Sequence, residues 1–296
     1  MSQSTSVSVI GPGALGNAII DLIEAHSQFY LKSVWGRHPS DSYLVQPDGG
    51  KKPCTKQFPS DELDLGRLVI ICVPDNAIPD IAFRLSDTAV SWNCRSVVHT
   101  SGSLDCTVLN PLADEGAKTA SMHPLQTFKR GDSRERFHQI WISLQGDESL
   151  FPMLKSLVEP FGAITRKLNA EQKSAMHLSA VFASNYLVAL MKVVDEIAAE
   201  NGVDDGLEML EPIIRQTLDN ITRMGPDRSL SGPVARGDTQ TINKHLSQLK
   251  SHPNFQQLYR RLGLVASDIA AINPGQKKNG IHDVKEALSR GLKSDE

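Results

Sequence analysis

Cysteine is scarce in this chain, and its thiols are scattered. Cys54, Cys72, Cys94 and Cys106 form no CxxC pair, and Cys72 falls inside an apolar run. That pattern excludes a disulfide scaffold or a thiolate metal centre and leaves reduced, structural thiols. An excess of either charge is also missing. With 31 Lys and Arg against 34 Asp and Glu, the formal net charge of −3 gives no general attraction to nucleic acid or anionic membrane. The basic pairs Lys51-Lys52 and Lys277-Lys278 are too short to make a patch. Long apolar runs are absent too: LVIICV, which Pro74 ends, is far below membrane length, so no membrane span is expected. MSQSTSV lacks the basic-then-apolar pattern of a secretory leader. His245, His252 and His282 stand apart, and no His, Cys and Asp cluster has ligand spacing, so no metal is expected. Neither a nucleophile elbow nor a P-loop lysine occurs. Together these absences predict a cytoplasmic protein with no nucleic-acid, membrane or metal partner.

What is present suits a soluble globular protein. The 296 residues, 40% hydrophobic and 22% charged, suffice for one large domain or two ordinary ones. The first half alternates strand-like and helix-like patterns. VSVI (7–10) is a short β-branched run, followed by Leu15, Ile19, Leu22 and Ile23 at helical spacing. LKSVW (31–35) reads as a second strand, and 38–66 as loop with at most one poor strand. RLVIICV (67–73) then predicts a buried strand and NAIPDIAFRL (76–85) a helix. RSVVHTS (95–101), KTASM (118–122) and HQIWISLQ (138–145) continue the sheet. Beyond AITRKLN nearly everything reads as helix, over about 170–201, 206–224, 239–249, 255–272 and 283–292. The expected fold class is α/β, a Rossmann-type mostly parallel sheet followed by an all-helical C-terminal domain. The boundary is expected between 1–166 and 167–296.

The opening turn carries the first functional signal. Gly11, Gly13 and Gly16 sit between a predicted strand and a predicted helix, the context a dinucleotide fingerprint demands. Gly11 permits the tight turn, Gly13 lets backbone approach a pyrophosphate, and Gly16 allows close packing of helix on strand. With Ala14 and Leu15, they offer the helix N-terminus and its unpaired N–H groups to phosphate. The second strand ends in Trp35-Gly36-Arg37-His38, with no acid before Asp41 to hold ribose hydroxyls. Arg37 instead suits a 2′-phosphate, which favours NADP over NAD; the plainer reading is an exposed surface arginine. Val73, Pro74 and Asp75 follow one buried strand and Thr100 and Ser101 another, and both loops are expected beside the cofactor.

The order GPGALG, GRHP, VPDNAI resembles the 6-phosphogluconate dehydrogenase-like superfamily, which includes hydroxyisobutyrate, ketopantoate, pyrroline-5-carboxylate and prephenate-type enzymes. VVHTSGS, ASMHPLQTF, HLSAVFASNYLVAL and LSGPVARGDTQTINKHL resemble a narrower group: Rossmann-like proteins whose C-terminal half is domain of unknown function 2520. The resemblance implies an NADP-dependent oxidoreductase, working as a homodimer, with the substrate unspecified.

Three histidines are candidates for the proton chemistry that accompanies hydride transfer. His123 resembles the HP element of prephenate-type enzymes, where that histidine polarises the hydroxyl being oxidised; the alternative is a strand-end cap before Pro124. His177 heads a stripe with Val181, Ser184, Asn185 and Val188, reading either as a cleft wall or as polar contacts between helices. Hydroxyacid- and ketopantoate-type relatives carry a catalytic lysine and asparagine on the equivalent helix. Lys173 and Asn185 match them in part, so the proton donor stays open among Lys173, His177 and His123. His99 reads as a buried strand residue. Ser184 and Arg236 are expected to contact substrate, Arg236 beside the helix cap Asp238; an Arg–Asp pair that stiffens the loop is the alternative. The expected function is hydride transfer between NADP(H) and a small carboxylate-bearing hydroxy, keto or imino substrate. The alternative is a catalytically inert NADP-binding sensor or partner protein.

Overall fold

The computed structural model describes residues 4–37, 43–45, 51–272 and 278–292. The chain divides into two compact units, Met1–Asn185 and Tyr186–Glu296.

In the first unit, β1 (Thr5–Ile10) leads into α1 (Ala14–Glu24) and β2 (Phe29–Trp35). Two three-residue strands, β3 (Tyr43–Val45) and β4 (Lys51–Pro53), pair antiparallel within the stretch expected to be loop. His38 and Asp41 lie outside the described residues. Then come β5 (Leu68–Ile71), α2 (Ile78–Ser86), β6 (Ser96–His99), α3 (Asn110–Asp114), β7 (Lys118–Pro124), β8 (Trp141–Gly146), α4 (Phe151–Val158), β9 (Ile164–Lys167) and α5 (Ala170–Val181). Seven strands form one sheet in the order β2-β1-β5-β6-β7-β8-β9. Every neighbouring pair is parallel except β7 with β8.

Both sheet faces are covered, which is why β5 is apolar at all four positions instead of alternating. On one face Ala18, Ile19, Leu22 and Ile23 of α1 and Leu154, Leu157 and Val158 of α4 pack against Val9, Ile70, Val98, Met122 and Leu144. On the other, Ile78, Ile81, Ala82 and Leu85 of α2 and Leu112 of α3 pack against Ile10, Val69, Ile71 and Val97. The strand β9 escaped sequence reading because it is an edge strand: Ile164, Arg166 and Lys167 are exposed, and no apolar alternation marks them.

The second unit is helical: α6 (Leu187–Glu200), α7 (Gly206–Met224), α8 (Pro226–Ser229), α9 (Pro233–Arg236), α10 (Thr239–Gln248), α11 (Pro253–Ile272) and α12 (Lys278–Ser289). Proline at the first helical position starts α8, α9 and α11, where its missing N–H costs nothing. Asp238 caps α10 by accepting from the Thr241 N–H at 3.0 Å, as expected from its place before Thr239. Ile242, Leu246, Val284 and Leu288 form a buried cluster in this unit.

The division falls inside a π-helical turn, Phe182–Tyr186, that joins α5 to α6, and not at the 166/167 boundary expected from composition. Within the first unit, the Lys173 ammonium ties α5 to the turn after β6. Residues 170–200 also correct the expectation drawn from contiguous runs: by length and composition alone, this stretch could cross a membrane. Between Lys173 and Lys192 no Asp, Glu, Lys or Arg occurs, while Ser and Asn interrupt the apolar residues. The buried, carbonyl-bonded Lys173 and the polar loop under it make this a weak case for a span.

Candidate active site

The strand order fixes where a site can form. From β1 the chain goes to β2 on one side and then to β5 on the other, so the topological switch lies between β1 and β5. Ligands of open α/β sheets bind at the carboxyl ends of the strands beside such a switch. Five adjacent parallel strands end on this edge. β2 is followed by Arg37, β1 by Gly11, β5 by Val73-Pro74-Asp75 and β6 by Thr100-Ser101, while His123 lies near the end of β7. With strands about 4.8 Å apart, the line from Arg37 to His123 spans roughly 20 Å.

The glycine turn is built for close approach. Gly11 has φ +96°, and a Cβ there would lie 2.6 Å from the Cys72 carbonyl oxygen. A Cβ on Gly16 would collide with the Gly11 carbonyl oxygen, so α1 can pack this close only on glycine. Gly13 differs: a Cβ there meets nothing within 4 Å. Its glycine is therefore not demanded by the protein's own packing, and the space in front of it is open to a ligand. Gly13 is also the N-cap of α1 and supplies no side-chain acceptor, and no acidic residue occupies the first turn. The terminal N–H groups at Ala14 and Leu15 thus face no carboxylate competitor for an anion. These features fit a pyrophosphate. Arg37 is exposed one residue beyond Gly36, where it can meet a ribose phosphate.

The next two loops are fastened together. Ser103 Oγ donates to Asp75 Oδ2 at 2.5 Å, linking the turn after β6 to the turn after β5. Ser101 Oγ accepts from the Leu104 N–H at 3.1 Å. His99 is fully buried, accepts from the Ser101 N–H at Nδ1 and bonds the Asp105 carbonyl through Nε2. Burial, helped by the Lys173 charge, pushes its pKa down to about 4 and keeps it neutral and structural.

Lys173 is only 2% exposed. Its ammonium donates to the carbonyls of Ser101 at 2.7 Å and Gly102 at 3.0 Å, and to that of Leu104. All three N–H donors are thereby used, and burial lowers its pKa to about 8 against the opposing pull of Asp75 and Asp105. The capping box of Asn169 and Gln172 starts α5 one turn earlier and so sets the angle at which Lys173 arrives.

The same turn brings two imidazoles together. His123 and His177 meet edge to face with ring centroids 5.9 Å apart. A Cβ on Gly102 would lie 2.7 Å from His123 Nε2 and would also strike His177 Nδ1. Both nitrogens therefore converge over the bare Cα of Gly102. His123 Nδ1 lies 3.0 Å from the Thr100 carbonyl, which can only accept, so the proton sits on Nδ1 and Nε2 keeps its lone pair. Burial holds the His123 pKa below the usual histidine value, and the charges of Lys173 and His177 lower it further against the Thr100 bond.

Of the residues singled out in the sequence, His123, His177, Lys173, Thr100, Ser101 and Asp75 come together here. Val73 and Pro74 border the glycine turn, Val73 through the contact its side chain would make with a Gly11 Cβ. Ser184 and Asn185 lie two turns beyond His177, with Ser184 Oγ donating to the Ala180 carbonyl at 2.7 Å and meeting Asn185 Oδ1 at 2.8 Å. Along the expected stripe, which the π turn Phe182–Tyr186 interrupts, His177, Val181 and Ser184 are half-buried, whereas Asn185 and Val188 are exposed. Arg236 ends α9 in the second unit, where its charge helps hold the Asp238 carboxyl below the usual range, behind the two Thr241 bonds. Sequence reasoning missed the role of Gly102 and the clamp formed by Lys173, for which no local signal exists.

The fold and this edge define a Rossmann-type protein with a helical C-terminal region. Residues 5–124 match the model of the Rossmann-like domain, and residues 140–265 match the domain of unknown function DUF2520, bearing out the narrower resemblance read from the motifs. Protein TM1727 from Thermotoga maritima has a similar solved structure, with TM-score 0.66 and 25% identity over 89% of this chain and 98% of that one. BF3122 from Bacteroides fragilis, proposed to be an NADP oxidoreductase, superposes with TM-score 0.73 at 20% identity over 89% and 98%. The imine reductase from Myxococcus stipitatus, solved with NADP+, gives 0.61 at 15% identity over 96% and 99%. No curated protein matches the chain.

Proposed function

We propose that this protein is an NADP(H)-dependent oxidoreductase acting on a small carbonyl, imine, alcohol or amine. The observation that carries the reading is the open space in front of Gly13, at a bare helix N-terminus on the switch edge of the sheet. The solved NADP-bound relative of the same fold supports the choice of cofactor. Gly11, Gly13, Ala14, Leu15 and Gly16 would hold the pyrophosphate and Arg37 the 2′-phosphate. Val73, Pro74, Asp75, Thr100 and Ser101 would border the nicotinamide half. The bound nicotinamide supplies or accepts the hydride.

The proton belongs to the imidazoles. Neutral His123, with Nδ1–H fixed on the Thr100 carbonyl, presents the Nε2 lone pair to a hydroxyl or amine being oxidised and returns the proton in the reverse direction. His177 faces the same point and shares the substrate's polar atom. Lys173 is a positioning residue: with three donors committed to carbonyls, it fixes the turn that carries Gly102. Asn185 remains part of the proposal as a catalytic residue, and Ser184 and Arg236 as substrate contacts.

Two wider expectations join it. Leu207, Leu210, Ile213, Leu218, Ile221 and Met224 leave an exposed apolar face along α7 at helical spacing, which a second copy of the chain would cover. Four free thiols and a soluble nucleotide cofactor suit a cytoplasmic setting. The test is a fluorescence titration with NADPH, NADP and NAD on the wild type and Gly13→Val, followed by turnover of 2-keto acids, ketones and cyclic imines. Absence of NADPH binding overturns the proposal; binding without any turnover turns it to the inert sensor.

A further inference from the structure

Strand pairing makes a second arrangement that no local motif encodes. His123 on β7 stands opposite Ser143 on β8, and Ser143 opposite Arg166 on β9. Residues paired in this way project from the same face of a sheet, so the three side chains form one cross-strand row. At about 4.8 Å per strand, the row places the Cα of Arg166 about 10 Å from that of His123. Ser143 is buried, and its Oγ donates to the His123 carbonyl at 3.5 Å.

The row lies beside a recess of about 470 Å³ between β8, β9 and α5. Leu125, Trp141 and Leu168 wall it on the sheet side, and Ala175 and Met176 of α5 close over it. Ser143 is itself part of the lining and stands opposite His123, so the recess begins one strand from His123. Its volume is that of a small-molecule site, and its lining is mainly apolar with a single cation. Trp141 is 47% exposed, unusual for so large an apolar ring on an otherwise filled sheet. The Arg166 side chain makes no ion pair or hydrogen bond among the described residues, whereas its neighbour Lys167 pairs with Glu148. An unpaired guanidinium beside an apolar recess calls for a planar anion on an apolar body.

We infer that this recess is a recognition subsite for a carboxylate with an apolar body, the carboxylate on Arg166 and the reacting carbon at His123 and His177. The inference rests on the reading that the imidazole pair marks the reacting atoms. It narrows that reading: the acid group is remote from the reacting carbon, so oxo acids with a methylene spacer are preferred over 2-oxo acids.

Calorimetry on cofactor-free protein compares 6-oxoheptanoate with its uncharged methyl ester. The acid is expected to bind about tenfold or more tightly than the ester, the preference vanishing in Arg166→Leu, while Trp141→Ala weakens both alike. Arg166 is exposed on an edge strand, so its replacement leaves folding intact. With NADPH, kcat/KM should rise from pyruvate through 4-oxopentanoate to 6-oxoheptanoate. Equal binding of acid and ester, or an acid preference that survives Arg166→Leu, overturns the subsite. Acid-selective binding with no turnover of any ketone rejects the redox reading and keeps the subsite; reduction of neutral ketones without acid preference does the reverse.

Discussion

Replacing Lys173 with Met keeps a similar length and removes the charge together with all three N–H donors. The carbonyls of Ser101, Gly102 and Leu104 then lose their shared partner. Hydrogen bonds to a charged donor contribute about 1.5–3 kcal/mol each. The ammonium itself is penalised by burial, as its fall from 10.5 to about 8 shows, so removing it returns part of that sum. A net destabilisation of about 2–4 kcal/mol near neutral pH follows. The pH dependence is more diagnostic. Between about 8 and 10.5 the unfolded lysine keeps its proton while the folded one has released it. The unfolded state therefore binds more protons, and wild-type stability rises with pH through that window, by about 3 kcal/mol at its end. The Met variant has no such gain. Urea denaturation of both proteins, at about pH 7 and about pH 10, should show the stability gap widening by roughly that amount. A gap that stays constant or narrows refutes the picture of a buried, desolvated ammonium holding the turn.

Gly13→Val should stay folded, since a Cβ there meets only open space, at a loss of about 1 kcal/mol from the N-cap of α1, yet lose NADPH binding; retained affinity in a fluorescence titration would remove the pyrophosphate seat. Gly102→Ala should abolish turnover while leaving NADPH affinity within about twofold, because its Cβ displaces both imidazoles and not the glycine turn; its folding cost is about 1–3 kcal/mol. Arg37→Asp should move cofactor preference from NADP toward NAD, and an unchanged ratio of kcat/KM values excludes the 2′-phosphate contact. In the oxidation direction, the acid limb of kcat/KM should fall below the ordinary histidine pKa of 6.5, since burial favours neutral His123; a limb above 6.5 assigns the base elsewhere. Sedimentation should report a dimer, and Ile213→Glu on the exposed face of α7 should convert it to monomer without loss of helicity.

Particular residues show how much of this was legible beforehand. The turn from Gly11 to Gly16 was, because a tight turn and a close helix packing depend on the residues at those positions. The N-cap at Asp238 and the span of α7 were legible for the same reason, as periodicity and capping act over a few residues. The edge strand β9 was not, having no apolar face to bury, and the π turn at Phe182–Tyr186 left no trace in a helical period. The stripe along that helix was drawn through Asn185 and Val188, and both are exposed. Lys173 was visible as a candidate but not its three carbonyl partners, which lie about seventy residues away.

By itself the sequence determined an α/β unit opening on a glycine turn, followed by a helical region, since backbone preference and apolar period are properties of near neighbours. Tertiary structure alone decided that His123 and His177 would face each other across Gly102, and that Arg166 would share a row with His123. Those outcomes depend on the register of β7, β8 and β9 and on the docking of α5, which are set by the packing of the whole unit.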